Sequence, residues 1–186
     1  MERDRILRLL PEIYRAAAGD GTPLVAILSA MEAMHAPSEE ILARADEFVD
    51  PYRAPDGFAI MLASWLDLDR YFDWASGRRG LGAARYAAGL GCLRNLTAEA
   101  AHLMRWRGTT YALERFLSVA TGHTGFRVVE NPVDQSGQPR PFHIQVEAPA
   151  AARRFGDLIR KIVDEERPAY VTYDISFASD DAKVSS

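Results

Sequence analysis

The apolar residues of this chain change their period once, and that change restricts the fold more than any other feature. As far as Gly122 they recur at three- and four-residue intervals, the spacing of one face of an α-helix. From Phe126 onward they alternate, the spacing of a half-buried strand. A chain of 186 residues that switches in this way fits an α+β architecture, mainly helical in its N-terminal part. The switch places a boundary near Thr124, with a helical domain at 1–123, a small ββαβ domain at 124–177 and a disordered tail at 178–186.

Within the helical part, Ile6 to Tyr14 predict a broken helical segment that ends by Ala18, because Pro11 interrupts it. Thr22 and Pro23 then supply an N-cap and a first-turn proline. The stripe Leu24, Ile27, Leu28, Met31, Met34, Ile41, Leu42, Ala45 and Phe48 predicts a long amphipathic helix, kinked or interrupted near Pro37. Phe58, Met61, Leu62, Trp65 and Leu66 mark a short helix with Trp65 as its core anchor. Five glycines between Gly77 and Gly91 predict an irregular helix. Order returns with Leu96, Ala100, Leu103 and Met104 in a helix ending at Arg107, with Gly108 as its left-handed stop. Thr109 or Thr110 caps the next helix, whose face is Leu113, Phe116, Leu117 and Ala120 and whose stop is Gly122.

Beyond the boundary, Phe126, Val128 and Glu130 alternate with Arg127 and Val129 in a first strand. After a proline-rich loop at 131–141, Phe142, Ile144 and Val146 form the buried side of a second strand, with His143 on its polar, exposed side. A helix from Ala150 to Glu166 carries Phe155, Leu158, Ile159 and Ile162 inward and is ended by Pro168. Val171, Tyr173, Ile175 and Phe177 give the third strand.

Charge and cysteine usage exclude several functions. Twenty-two Lys and Arg against 26 Asp and Glu give a net charge of -4, the wrong sign for a protein that gains affinity by neutralising phosphates. Cys92 is the sole cysteine, so the fold needs no oxidising compartment and cytoplasmic synthesis is expected. Met1 to Arg8 mixes charge with apolar residues unlike a secretory signal, and no apolar run approaches the roughly 20 residues of a membrane helix. His35, His102, His123 and His143 lack a second ligand at metal-binding spacing, and Cys92 has no His or CxxC partner. Gly80 and Gly82 are followed by Arg85 where a dinucleotide fingerprint needs a third glycine. Arg78, Arg79 and Arg85 read as a solvated face or a contact with an acidic partner before an anion site. No catalytic residue, cofactor or metal is assigned.

Four segments, in order along nearly the whole chain, carry a resemblance. They are LRLLPEIYR (Leu7 to Arg15), PYRAPDGFAIMLASWLDLD (Pro51 to Asp69), RGTTYALERFLSVATG (Arg107 to Gly122) and EERPAYVTYDISF (Glu165 to Phe177). Together they resemble the phage tail protein I family and its relatives in extracellular contractile injection systems, the third segment most specifically. Arg107, Gly108, Thr109, Leu113, Phe116, Leu117, Gly122, Trp65 and Pro168 are the motif residues. Ala112 stands where the family often has a second glycine, and Tyr170 where it often has histidine. The resemblance implies a non-enzymatic structural subunit of the baseplate wedge, present in several copies per six-fold particle. It also implies contact with the J-like wedge protein and with other baseplate, hub or sheath-adaptor proteins, and incorporation into a phage-tail-like particle. Met31 and Met34 are the candidate partner contacts, since an amphipathic helix lined with methionine suits docking. The same methionines could instead fill this protein's own core. A protein–protein adaptor unrelated to tails is the alternative function, and a small-molecule enzyme the third.

Overall fold

A computed structural model describes residues 5–74, 84–134 and 136–179. The chain forms two compact units, residues 1–47 and 48–186. The expected tail from residue 180 onward, together with Arg78 and Arg79, lies outside the described residues.

The first unit is built on one long helix. Helices α1 (Arg5–Leu9) and α2 (Glu12–Ala17) precede α3 (Pro23–Ala43), and α4 (Ala45–Val49) follows and runs into the second unit. Thr22 does not cap α3 through its side chain; its hydroxyl turns back to the Gly19 carbonyl at 2.8 Å. α1 lies on α3 through an Arg5–Glu39 ion pair and the Ile6 amide, which donates to Glu32 at 3.4 Å. α3 runs through Pro37 uninterrupted, and the break falls instead at Arg44, whose amide closes back on Ile41 at 3.1 Å. Among the described residues of this unit, Leu28 alone is a fully buried apolar side chain. One long helix with one short helix across it has too little neighbouring surface to cover its apolar face.

The second unit holds the main core. α5 (Asp56–Trp65) buries Ala59, Leu62 and Ala63 against α6 (Leu90–Arg105). This corrects the assignment of Trp65 as a core anchor: it is 69% exposed. Two alanines allow close approach to α6, so the helix turns them inward and carries Phe58 and Trp65 away. Short strands β1 (Asp73–Trp74) and β2 (Ala84–Arg85) pair antiparallel. The irregular helix expected up to Gly91 is therefore corrected at its described end, where a strand and a turn precede α6. Gly89, with φ of 86°, makes that turn, and a left-handed residue cannot continue a right-handed helix.

α6 ends at Arg105, and Gly108 has φ of 82°. The Thr109 hydroxyl then accepts the Ala112 amide at 3.1 Å and starts α7 (Thr110–Thr121). α7 buries Leu113, Phe116, Leu117, Val119 and Ala120 and stops at left-handed Gly122. A Cβ at Gly108 would meet nothing within 4 Å, whereas one at Gly122 would stand 3.0 Å from the Cys92 sulfur. Gly108→Ala is accordingly expected to cost about 1 kcal/mol through backbone strain alone. Gly122→Ala should cost more in the same urea titration; equal costs would remove the steric part of this account.

The change of period near Thr124 marks a change of element type inside one core. β3 (Arg127–Glu130), β4 (His143–Ala148) and β5 (Thr172–Phe177) form a sheet of order β3-β4-β5, antiparallel then parallel. A 3-10 segment (Ala150–Phe155) and α8 (Gly156–Glu166) make the crossover between β4 and β5. Ile144, Val146 and Ala148 of β4 meet Leu158, Ile159, Ile162 and Val163 of α8 in the cluster that also holds Leu96, Phe116 and Leu117. Phe142 is exposed and lies outside β4, with φ of 56°, so the buried side of the strand starts at Ile144.

Candidate functional site

The C-terminal end of α8 presents Glu166, whose side chain is only 10% exposed, to residues far away in sequence. One carboxylate oxygen accepts the Tyr71 hydroxyl at 2.6 Å and Arg70 Nη2 at 2.9 Å. The other lies 3.1 Å from Arg107 Nε, and Arg107 Nη2 donates to the Glu165 carbonyl at 2.7 Å. Two of the four quoted segments, the third and the fourth, thus meet at one buried anion together with the two residues that follow the second. Burial first, then the bond to Glu166, pushes the Tyr71 hydroxyl far above its ordinary pKa, which keeps it a donor. Two guanidinium groups and a phenol satisfy a charge that would be costly to bury unpaired. Sequence reading singled out Arg107 but missed Glu166, Arg70 and Tyr71, since partners 95 and 96 residues apart leave no spacing signal.

Beside this network, the start of α7, the ends of β3 and β4 and the segment after α8 enclose a cleft of about 230 Å³. Gly108, Thr109, Leu113 and Pro168 line it, so four motif residues share one concave surface. Phe142 and Tyr170, both exposed, stand edge to face at 5.6 Å on the same cleft.

His143 also lines the cleft, and the structure corrects its expected exposure: it is 4% exposed. Parallel pairing sets His143 against Thr172, whose hydroxyl lies 2.7 Å from Nδ1, while Nε2 lies 3.0 Å from the Asp174 carboxylate. Both ring nitrogens are therefore satisfied, which lets a polar side chain be buried. The Arg140 hydrogen bond, at 2.9 Å, holds the Asp174 carboxyl below its usual range. The chain from hydroxyl to imidazole to carboxylate ties β4 to β5 and fixes their register.

The other histidines lie in separate settings, with His102 3.2 Å from the Tyr111 hydroxyl and His123 tilted 5.7 Å from Phe155. Among the described residues, no group of three or more His, Cys, Asp or Glu side chains is placed to hold a metal. Nor is any described helix long and apolar enough to cross a membrane.

In the first unit, Met31 is 41% and Met34 79% exposed, and Ile27 and Ile41 are exposed with them. Positions 27, 31, 34 and 41 fall on the four- and three-residue steps of a coiled-coil seam, with Ser38 filling the remaining step. This face of α3 is apolar and open.

A family model described as phage tail protein (Tail_P2_I) matches residues 24–170, well over half of the chain. The matched span begins within α3 and ends at Tyr170 on the cleft. No curated protein matches the chain.

Proposed function

Since this chain belongs to the phage tail protein (Tail_P2_I) family, we propose that it is a structural subunit of the baseplate wedge in a contractile phage-tail-like particle. In that role it holds neighbouring subunits in place and carries out no reaction. The observation that carries the reading is the open apolar face of α3, which isolated units seldom leave uncovered unless a partner covers it. Helix-in-groove docking reads such a stripe through side chains one turn apart, and methionine adapts to an irregular partner surface. The occupant of this face is the J-like wedge protein, with other baseplate, hub or sheath-adaptor proteins held elsewhere on the chain. Several copies then enter each six-fold particle after synthesis in the cytoplasm.

Met31→Lys and Met34→Lys test this reading. Both side chains are exposed, so each variant should keep its helical circular dichroism. Each should lose most co-purification with the J-like protein, because a lysine in an apolar seam must bury its charge or leave the interface. Full-strength capture by both variants would refute docking through α3.

A further inference from the structure

The two edges of the three-stranded sheet are treated differently. In β3, pairing of the Asn131 amide with the His143 carbonyl sets the Val128 amide on the outer side, away from β4. That amide is closed off by the protein itself, through the Glu114 carboxylate of α7 at 2.7 Å. At the start of β5 the Thr172 amide donates to the Phe142 carbonyl just before β4, and just past β5 the Ala178 amide donates to the Ala148 carbonyl at the end of β4, each at 2.9 Å. In a parallel ladder the same alternation directs the even-numbered residues between them to β4 and turns Tyr173, Ile175 and Phe177 outward. Among the described residues, the outward amides and carbonyls of these three have no hydrogen-bond partner. All three are half-exposed, and neither proline nor lysine blunts the strand.

The geometry points to the outer edge of β5 as a strand-addition site for an extended, acidic-ended segment of another polypeptide. Three unpaired amides and three carbonyls over six residues match only an extended backbone. The charge around the edge narrows the choice of occupant. Arg167 stacks over Tyr173 at one end and Arg153 over Phe177 at the other, each 5.4 Å from the ring centroid. Arg167 has Asp164 at 3.5 Å, while Arg153 has no ion-pair partner among the described residues. A second copy of this chain fits poorly. Antiparallel pairing centred on Ile175 sets Tyr173 opposite Phe177 and so brings each Arg153 beside the other copy's Arg167. Of the two neighbouring registers, one sets Asp174 against Asp174, also like charges, and the other pairs Ser176 with Ser176 and runs past the end of β5, leaving Tyr173 without a strand partner. The edge belongs to the second unit and begins after Tyr170, where the family match ends.

The test uses the full chain, uniformly labelled with 15N, and an acetylated, amidated peptide Asp-Thr-Val-Thr-Val-Thr-Asp as probe. Saturating peptide should slow amide exchange at Tyr173, Ile175 and Phe177 by at least about tenfold and leave Asp174 and Ser176 nearly unchanged. Replacing both aspartates of the probe with lysine should weaken the effect. Ile175→Pro removes an outward amide without removing a bond to β4, and it should abolish protection at Tyr173 and Phe177. Should that variant fail to fold, the exchange pattern of the unaltered chain decides alone. The proposal is overturned by unchanged exchange at the three outward amides, by equal binding of the lysine probe, or by a dimer that Ile175→Pro converts to monomer.

Discussion

Replacing Glu166 with alanine is expected to destabilise the protein by about 3 kcal/mol, because it strands the buried Tyr71 hydroxyl beside an empty acceptor position and leaves the Arg70 guanidinium only Asp67 at 3.2 Å and Glu165 at 3.9 Å. The side chain is nearly buried, and its two oxygens serve three donors from two distant segments, so solvent cannot readily replace it. Glu166→Gln should cost less, since the amide oxygen can still accept from Tyr71 while the charge opposite Arg70 is lost. Arg107 is half-exposed, and Arg107→Ala should cost only about 1 kcal/mol. Urea titrations of the three variants give this ranking directly. A Glu166→Ala protein within about 0.5 kcal/mol of the parent would mean that the network contributes nothing net.

Phe116→Ala is expected to cost about 3 to 5 kcal/mol and Trp65→Ala to stay within about 0.5 kcal/mol, although both residues lie in segments that carry the family resemblance. Phe116 is 6% exposed and meets the Tyr71 ring edge to face at 5.3 Å, so its removal leaves a cavity beneath the Glu166 network. Trp65 lies on the outward side of α5 next to Tyr52 and Val49, where truncation opens no void. Thermal melts of the two variants separate these cases. A strongly destabilised Trp65→Ala protein would show that the outward face of α5 is covered in the folded chain.

The punctuation of the fold was legible because it is local. A left-handed Gly108, a threonine that caps α7 and a glycine that ends it act within four residues of chain. Alternation of apolar and polar side chains likewise exposed the ββαβ order, since a strand with one buried face writes that face into its own sequence. The family resemblance drew on the same short segments, and the match over residues 24–170 covers the second and third of them whole.

Choices that depend on a neighbour were not legible in the same way. The stripe Phe58, Met61, Leu62, Trp65 describes a helix with an apolar side, yet Ala59 and Ala63 were equally able to face inward, and proximity to α6 favoured the smaller pair. His143 alternates with buried residues and reads as exposed until β5 arrives in parallel register with a hydroxyl and a carboxylate for its two nitrogens. Glu166 became a shared acceptor only when the fold carried Arg70, Tyr71 and Arg107 to the end of α8. By itself, then, the sequence determined the stops and cap around α7 and the order of the elements after it, because capping and periodicity are decided within a turn or two of the chain. Tertiary structure alone decided which faces are buried and which distant charges meet, because those energies depend on partners that no stretch of local sequence contains.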